Sequence, residues 1–116
     1  MDTTALVIGI LNDALDVPVQ TDIPLQRPSR LVMVMQEGDA SDMFLLRPTY
    51  SITCWGMSDV DARGIAISCV HALAEASETD EYLSSVEMMG LVRDEWTGTG
   101  QARYVLTVTL VINTDN

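Results

Sequence analysis

The chain contains no lysine: all six of its basic residues are arginine, set against seventeen Asp and Glu, for a formal net charge of −11. Such an acidic surface repels a phosphate backbone, which argues against a nucleic-acid-reading module. An all-arginine set suits paired contacts of demanding geometry. Histidine is almost as scarce. His71, the single one, reads as a solvent-exposed surface residue, since with no placed Ser, Cys or Asp it forms no catalytic triad. Two cysteines, Cys54 at a strand end and Cys69 on a buried helix face, make neither a disulfide framework nor a metal-ligand pattern and read as buried free thiols. Aromatics are only 5% of the chain, so Leu, Val, Ile and the seven Met must fill the core. No apolar run approaches the ~20 residues of a membrane span. The opening MDTTALVIGIL places an acid where a secretory signal carries positive charge, so the expectation is a protein that stays in the cytosol of its host cell.

What is present is a globular composition, 47% hydrophobic against 20% charged over 116 residues, enough for one domain that folds alone, residues 1–116. The chain is organised around residues 55–77, WGMSDVDARGIAISCVHALAEAS. Ser58 is a natural N-cap, and Asp61 stands three residues later where an acid faces the positive helix end. Ala62, Ile65, Ala66, Cys69, Leu73 and Ala76 then recur at helical spacing and form one apolar face that needs a sheet to cover it. Val60, Ile67 and Ala74 stand seven apart on the opposite side, beside Arg63 and Gly64, and make a second, narrower apolar seam.

Residues 3–15 predict an amphipathic helix whose apolar arc, Leu6, Val7, Ile8, Ile10, Leu11, Ala14 and Leu15, spans roughly 200° where one core contact needs ~100°. Either that helix is sandwiched or part of it packs on another chain. Residues 16–30 hold three of the four prolines and read as a short edge strand over 17–21 followed by an extended connector. Residues 31–36, apolar on both faces, mark a doubly covered strand. Residues 37–43 predict a polar turn. A strand over 44–55 follows, interrupted by Pro48, with Tyr50, Ile52 and Cys54 on its core face. After the main helix, 78–85 reads as an acidic connector, 86–93 as a strand, 94–101 as a loop, and 102–113 as a final strand with Tyr104, Leu106, Val108, Leu110 and Ile112 on one face. The expected fold is therefore α+β: a mostly antiparallel sheet of four to five strands with two helices packed on it, in the order helix, three strands, helix, two strands.

Few residues suggest chemistry. Asp59 and Asp61 form a DxD, but acids in a first helical turn are favoured by the helix dipole alone. Gly98-Thr99-Gly100 lacks a lysine and opens no helix, so it reads as a hairpin loop rather than a phosphate cradle. Trp96 is a large aromatic on a polar loop, either folded back on the sheet or reserved for a partner. No catalytic constellation, cofactor or metal is expected.

Three stretches together resemble the tail terminator proteins of long-tailed bacteriophages, also called tail-to-head joining or tail completion proteins. VPVQTDIPLQRPSRLVMVMQEGD is similar to that family's short strand, proline-Arg-Pro connector, apolar strand and glycine-containing turn. ITCWGMSDVDARGIAISCVHAL resembles its strand ending in Trp followed by a helix with acid and Ala near the start, and DEWTGTGQARYVLTVTLVI its loop leading to Arg-Tyr and a long last strand. The turn has a single Gly38 where a glycine pair is frequent, and the loop before Arg103 lacks the usual proline. The resemblance implies a non-enzymatic virion protein, a ring that is commonly hexameric. It caps the tail tube, stops its polymerisation and offers the surface for the head.

On that reading the partners are further copies of the chain, the tail tube protein and a head-completion or neck protein, with DNA passing through the ring without specific binding and no membrane involved. Arg27, Arg30 and Arg103 become candidates for charge pairing across a subunit boundary, with Val60, Arg63, Ile67 and Ala74 as the helix seam. Glu37, Asp39, Asp42 and Trp96 are candidates for contacts with tube or head. A head-closure protein of the same virion joint and an acidic DNA-mimic inhibitor are the competing expectations.

Overall fold

The computed structural model describes residues 2–22, 28–42, 45–95 and 102–113, the side chains of residues 95 and 102 apart. Helix α1 (Thr3–Ala14) starts where the Asp2 carboxylate accepts the Ala5 N–H at 3.1 Å, satisfying one of the donors a first turn leaves open. It stops at Leu15, whose backbone is extended although its N–H still donates to the Leu11 carbonyl at 2.9 Å. Val7 and Leu11 are fully buried, while Leu6, Ile8, Ile10 and Leu15 are packed partly against the same core. The wide apolar arc is thus largely used within the chain, because α1 lies against the second helix and against the first two strands.

The strands are β1 (Val19–Gln20), β2 (Leu31–Asp39), β3 (Leu45–Leu46), β4 (Pro48–Trp55), β5 (Leu83–Glu95) and β6 (Ala102–Asn113), with helix α2 (Asp59–Thr79) between β4 and β5. They form one sheet in the order β1-β2-β4-β6, with β5 on the far side of β6. Strand β3 continues the line of β4: Leu46 faces Ile112 and Thr49 faces Thr109 in one unbroken register along β6. Pro48 lacks the N–H that would carry the ladder through, so β3 and β4 are one strand interrupted. The long β5–β6 pair accounts for the 45 Å length of the molecule, which is 24 Å across its other two axes.

Alternation decides what each sheet face does. Val32, Val34, Tyr50, Ile52, Cys54, Leu106, Val108, Leu110 and Ile112 are all buried on the face that carries the helices. Both helices lie on that face, since α1 and α2 touch one another. At its α1 end the Tyr50 hydroxyl meets those of Thr3 and Thr4 at 2.6 and 3.0 Å, fixing the helix start to the middle of the sheet. The other face is made by Met33, Ser51, Thr53, Val105, Thr107, Thr109 and Val111, half-buried except for Thr53. At one end of that second face, Leu31 and Trp55 stand directly opposite each other and are fully buried apart from the main core.

Helix α2 is joined to the sheet through its first turn. Ser58 caps it, accepting the Asp61 N–H at 3.1 Å, and the Asp61 carboxylate accepts from the Met57 N–H at 2.8 Å. The Arg30 guanidinium donates to the same carboxylate at 3.2 Å, and Arg93 of β5 pairs with Asp59 at 2.6 Å. Gly56 is buried in this joint. A Cβ there would stand 2.4 Å from the Ala62 backbone nitrogen, so the chain leaves β4 at a distance from the helix that no side chain permits.

The α+β class with two helices stands, and the expected sheet is met in part. Its order is mixed, because β1 pairs parallel with β2. Two successive strands therefore run the same way. The expected turn over 37–43 is corrected: Glu37, Gly38 and Asp39 belong to β2, which continues past a register shift between Gln36 and Gly38 and pairs with Thr49 and Pro48. A bulge absorbs the polar residues without ending the strand. Likewise β5 begins at Leu83 rather than 86, because the Asp80 carboxylate accepts from the N–H groups of Tyr82 and Leu83 and turns the chain into the strand at once.

Candidate assembly surfaces

The inner side of α2 is small and tightly seated: Ala62, Ile65, Ala66, Cys69, Ala72 and Leu73 are buried against the sheet. Its outer side forms a ridge. Val60 is 80% exposed, Arg63, Ala74 and Glu78 are exposed, and Ile67 and Val70 are half-buried. These residues recur at steps of three or four, which keeps them on one helix face. The expected seam of Val60, Arg63, Ile67 and Ala74 is therefore brought together on one uncovered surface. Neither Arg63 nor Glu78 makes an ion pair among the described residues.

A second uncovered surface was missed by sequence reasoning. Strand β5 is an edge: no strand among the described residues pairs with its outer side. Met88, Met89 and Val92 on it are 56%, 64% and 63% exposed. On the opposite side of the sheet, β1 pairs only with Val32 and Met33, so the outer edge of β2 beyond them has no strand partner among the described residues. Met35, 45% exposed, lies on that stretch. The adjacent Met88-Met89 pair was the available signal, because successive side chains of a regular strand turn to opposite faces and only one of the two can enter a core on one side.

Two of the arginine candidates, Arg30 and Arg103, take partners inside their own chain. Arg30 pairs with Asp61 and reaches Asp16 at 3.8 Å. Arg103 pairs with Asp94, directly opposite it on β5, at 2.7 Å, and its guanidinium lies over the Trp55 ring at 5.7 Å. Arg27 and Trp96 lie outside the described residues. Of the acidic candidates, Glu37 is exposed on β2, whereas Asp39 accepts from the N–H and hydroxyl of Ser41, and Asp42 accepts from the Leu45 N–H at 2.8 Å. The last two carboxylates therefore shape the β2–β3 connection.

An open cleft of about 520 Å³ lies between the end of α1 and α2, lined by Leu15, Asp16, Ile67, His71, Ala72 and Glu75. His71 is exposed there. Among the described residues no group of three or more His, Cys, Asp or Glu side chains is placed to hold a metal ion. No helix among them is long and apolar enough to cross a membrane. In the core, Cys54 and Cys69 are both buried and unbridged. The hydrogen bond with the Cys69 thiol, then burial, then the charge of Cys69 push the Cys54 thiol far above its ordinary value. On the surface, the hydrogen bond with the Glu81 carboxylate raises the Tyr82 phenol, with the Glu81 charge, burial and the Asp80 charge adding to it.

No protein-family model matches the chain, and no curated protein matches its sequence.

Proposed function

We propose that this chain is a tail terminator of a long-tailed bacteriophage, a structural protein whose copies close into a ring, most simply of six, on the end of the tail tube. The observation that carries the ring is the pair of open edges on opposite sides of one sheet, β5 with Met88, Met89 and Val92, and the outer stretch of β2 with Met35. A cyclic assembly requires two different surfaces on every copy, so that each subunit presents one to its neighbour ahead and the other to its neighbour behind. Two edges facing away from each other meet that requirement, and exposed apolar edges left uncovered invite pairing. The tail assignment rests on the sequence resemblance.

The ring acts by geometry rather than by catalysis. A tube built of one repeating subunit presents the same unsatisfied end after every addition, and a different ring that binds this end without recreating it halts growth. Its free side then offers the attachment surface for a head-completion or neck protein. With a net charge of −11 on every copy, the ring passes DNA without holding it.

Purified protein added to tails assembled without it tests the reading by cryo-electron microscopy. The expected result is a ring of this chain on the head-proximal end of the tube, weakened by Val92→Glu. Binding to filled heads with no binding to tails would reassign the protein to the head side of the joint, and a monomer that binds neither would end the proposal.

A further inference from the structure

The outward ridge of α2 is a separate surface from the sheet edges, and we infer that it docks the same ridge of a second copy, the two helices antiparallel about a two-fold axis near Val70. A two-fold contact must be self-complementary, with each residue meeting a position of the partner that meets it in return. The ridge has that property. When two copies are laid antiparallel, Ile67 meets Ala74 of the partner, Val70 falls beside the axis, and Arg63 meets Glu78 of the partner. All four positions lie on one helix face, and residues 63 and 78 are roughly 22 Å apart along the helix at 1.5 Å per residue. An apolar centre is thereby closed at each end by an ion pair.

Charge chooses the occupant and the direction. Arg63 is the only basic residue on α2, in its second turn, and Glu78 stands in its last turn, so a parallel arrangement sets like charges side by side while an antiparallel one pairs opposites twice. Glu78 also sits where the helix dipole is negative, and a guanidinium brought beside it relieves that repulsion. Neither side chain has an ion-pair partner among the described residues of its own chain. Small residues at Gly64 and Ala74 let the helices approach closely. A single pair of helices buries less than a standard interface, so the contact is weak and concentration-dependent.

The inference stands independently of the ring, which uses the sheet edges. Sedimentation equilibrium of the full chain reads it directly. The wild-type protein is expected to reach a monomer–dimer equilibrium, and Arg63→Glu and Glu78→Arg should each weaken dimerisation about tenfold or more. The double variant, which exchanges the two charges, should recover most of that loss. Val92→Glu on β5 should leave the dimer unchanged. Ile67→Cys and Ala74→Cys, mixed and oxidised, should give a disulfide joining one variant to the other. A wild-type monomer at every concentration overturns the inference, as does a double variant no better than either single one. Loss of the dimer in Val92→Glu would place the contact on the sheet edge and overturn it equally.

Discussion

The two sides of α2 use similar residues to opposite ends. On the inner side, Ala62, Ala66 and Cys69 are small enough for the helix to settle onto β4, β5 and β6, while Ile65 and Leu73 fill what remains. On the outer side Val60 and Ala74 are exposed, and Ile67 is only half-buried by its own chain. Apolar character by itself therefore does not mark the core; having a partner element does. The contrast places folding on one side of the helix and, under the inference above, association on the other, and substitutions on each side should separate those roles.

The largest loss is expected inside. Ile52 is fully buried beneath the helices, and Ile52→Ala should cost about 2–5 kcal/mol of unfolding free energy through lost burial and the cavity left behind, measured by chemical denaturation. Gly56→Ala comes next. Its Cβ would meet the Ala62 nitrogen and Cα at 2.4 and 2.8 Å, backbone atoms that cannot swing aside, so a loss of about 1–3 kcal/mol is expected. A smaller effect, confined to alkaline solution, comes from Cys54. Its folded-state ionisation lies above that of the unfolded chain, so this contribution is complete below the ordinary thiol range and is lost as pH rises through and beyond it. Denaturation midpoints at neutral pH and near pH 10 should show the decline, and Cys54→Ala should flatten it. Smallest of all is Val60→Ser on the ridge, within about 0.5 kcal/mol of wild type in stability. A large destabilisation there would mean that the outer side is bound within the chain after all.

Much of this architecture was legible in the sequence because a few segments carry one strong period. The alternation from Tyr104 to Ile112 matches β6, and Ser58 caps α2 as the spacing predicts. The ridge residues could also be placed from helical spacing alone. What could not be read was relational. Glu37-Gly38-Asp39 has turn composition, yet pairing with Thr49 and Pro48 holds it in β2. The parallel pairing of β1 with β2 is a relation between two strands, which no local pattern records. Met88 and Val92 become exposed because the strand order leaves β5 at an edge, and edge or centre is a property of the whole sheet. Nor could spacing reveal that Asp61 and Asp94 would reach Arg30 and Arg103 within the chain.

The central proposal is that copies of this chain cap a growing tail tube, and deletion of its gene, a phage gene on that proposal, tests it most directly. Negative-stain microscopy of the resulting lysate should show tubes that overrun their normal length or stay unjoined to filled heads, with length control and joining restored when the protein is supplied in trans. Tails of normal length joined to full heads in the deletion would contradict it.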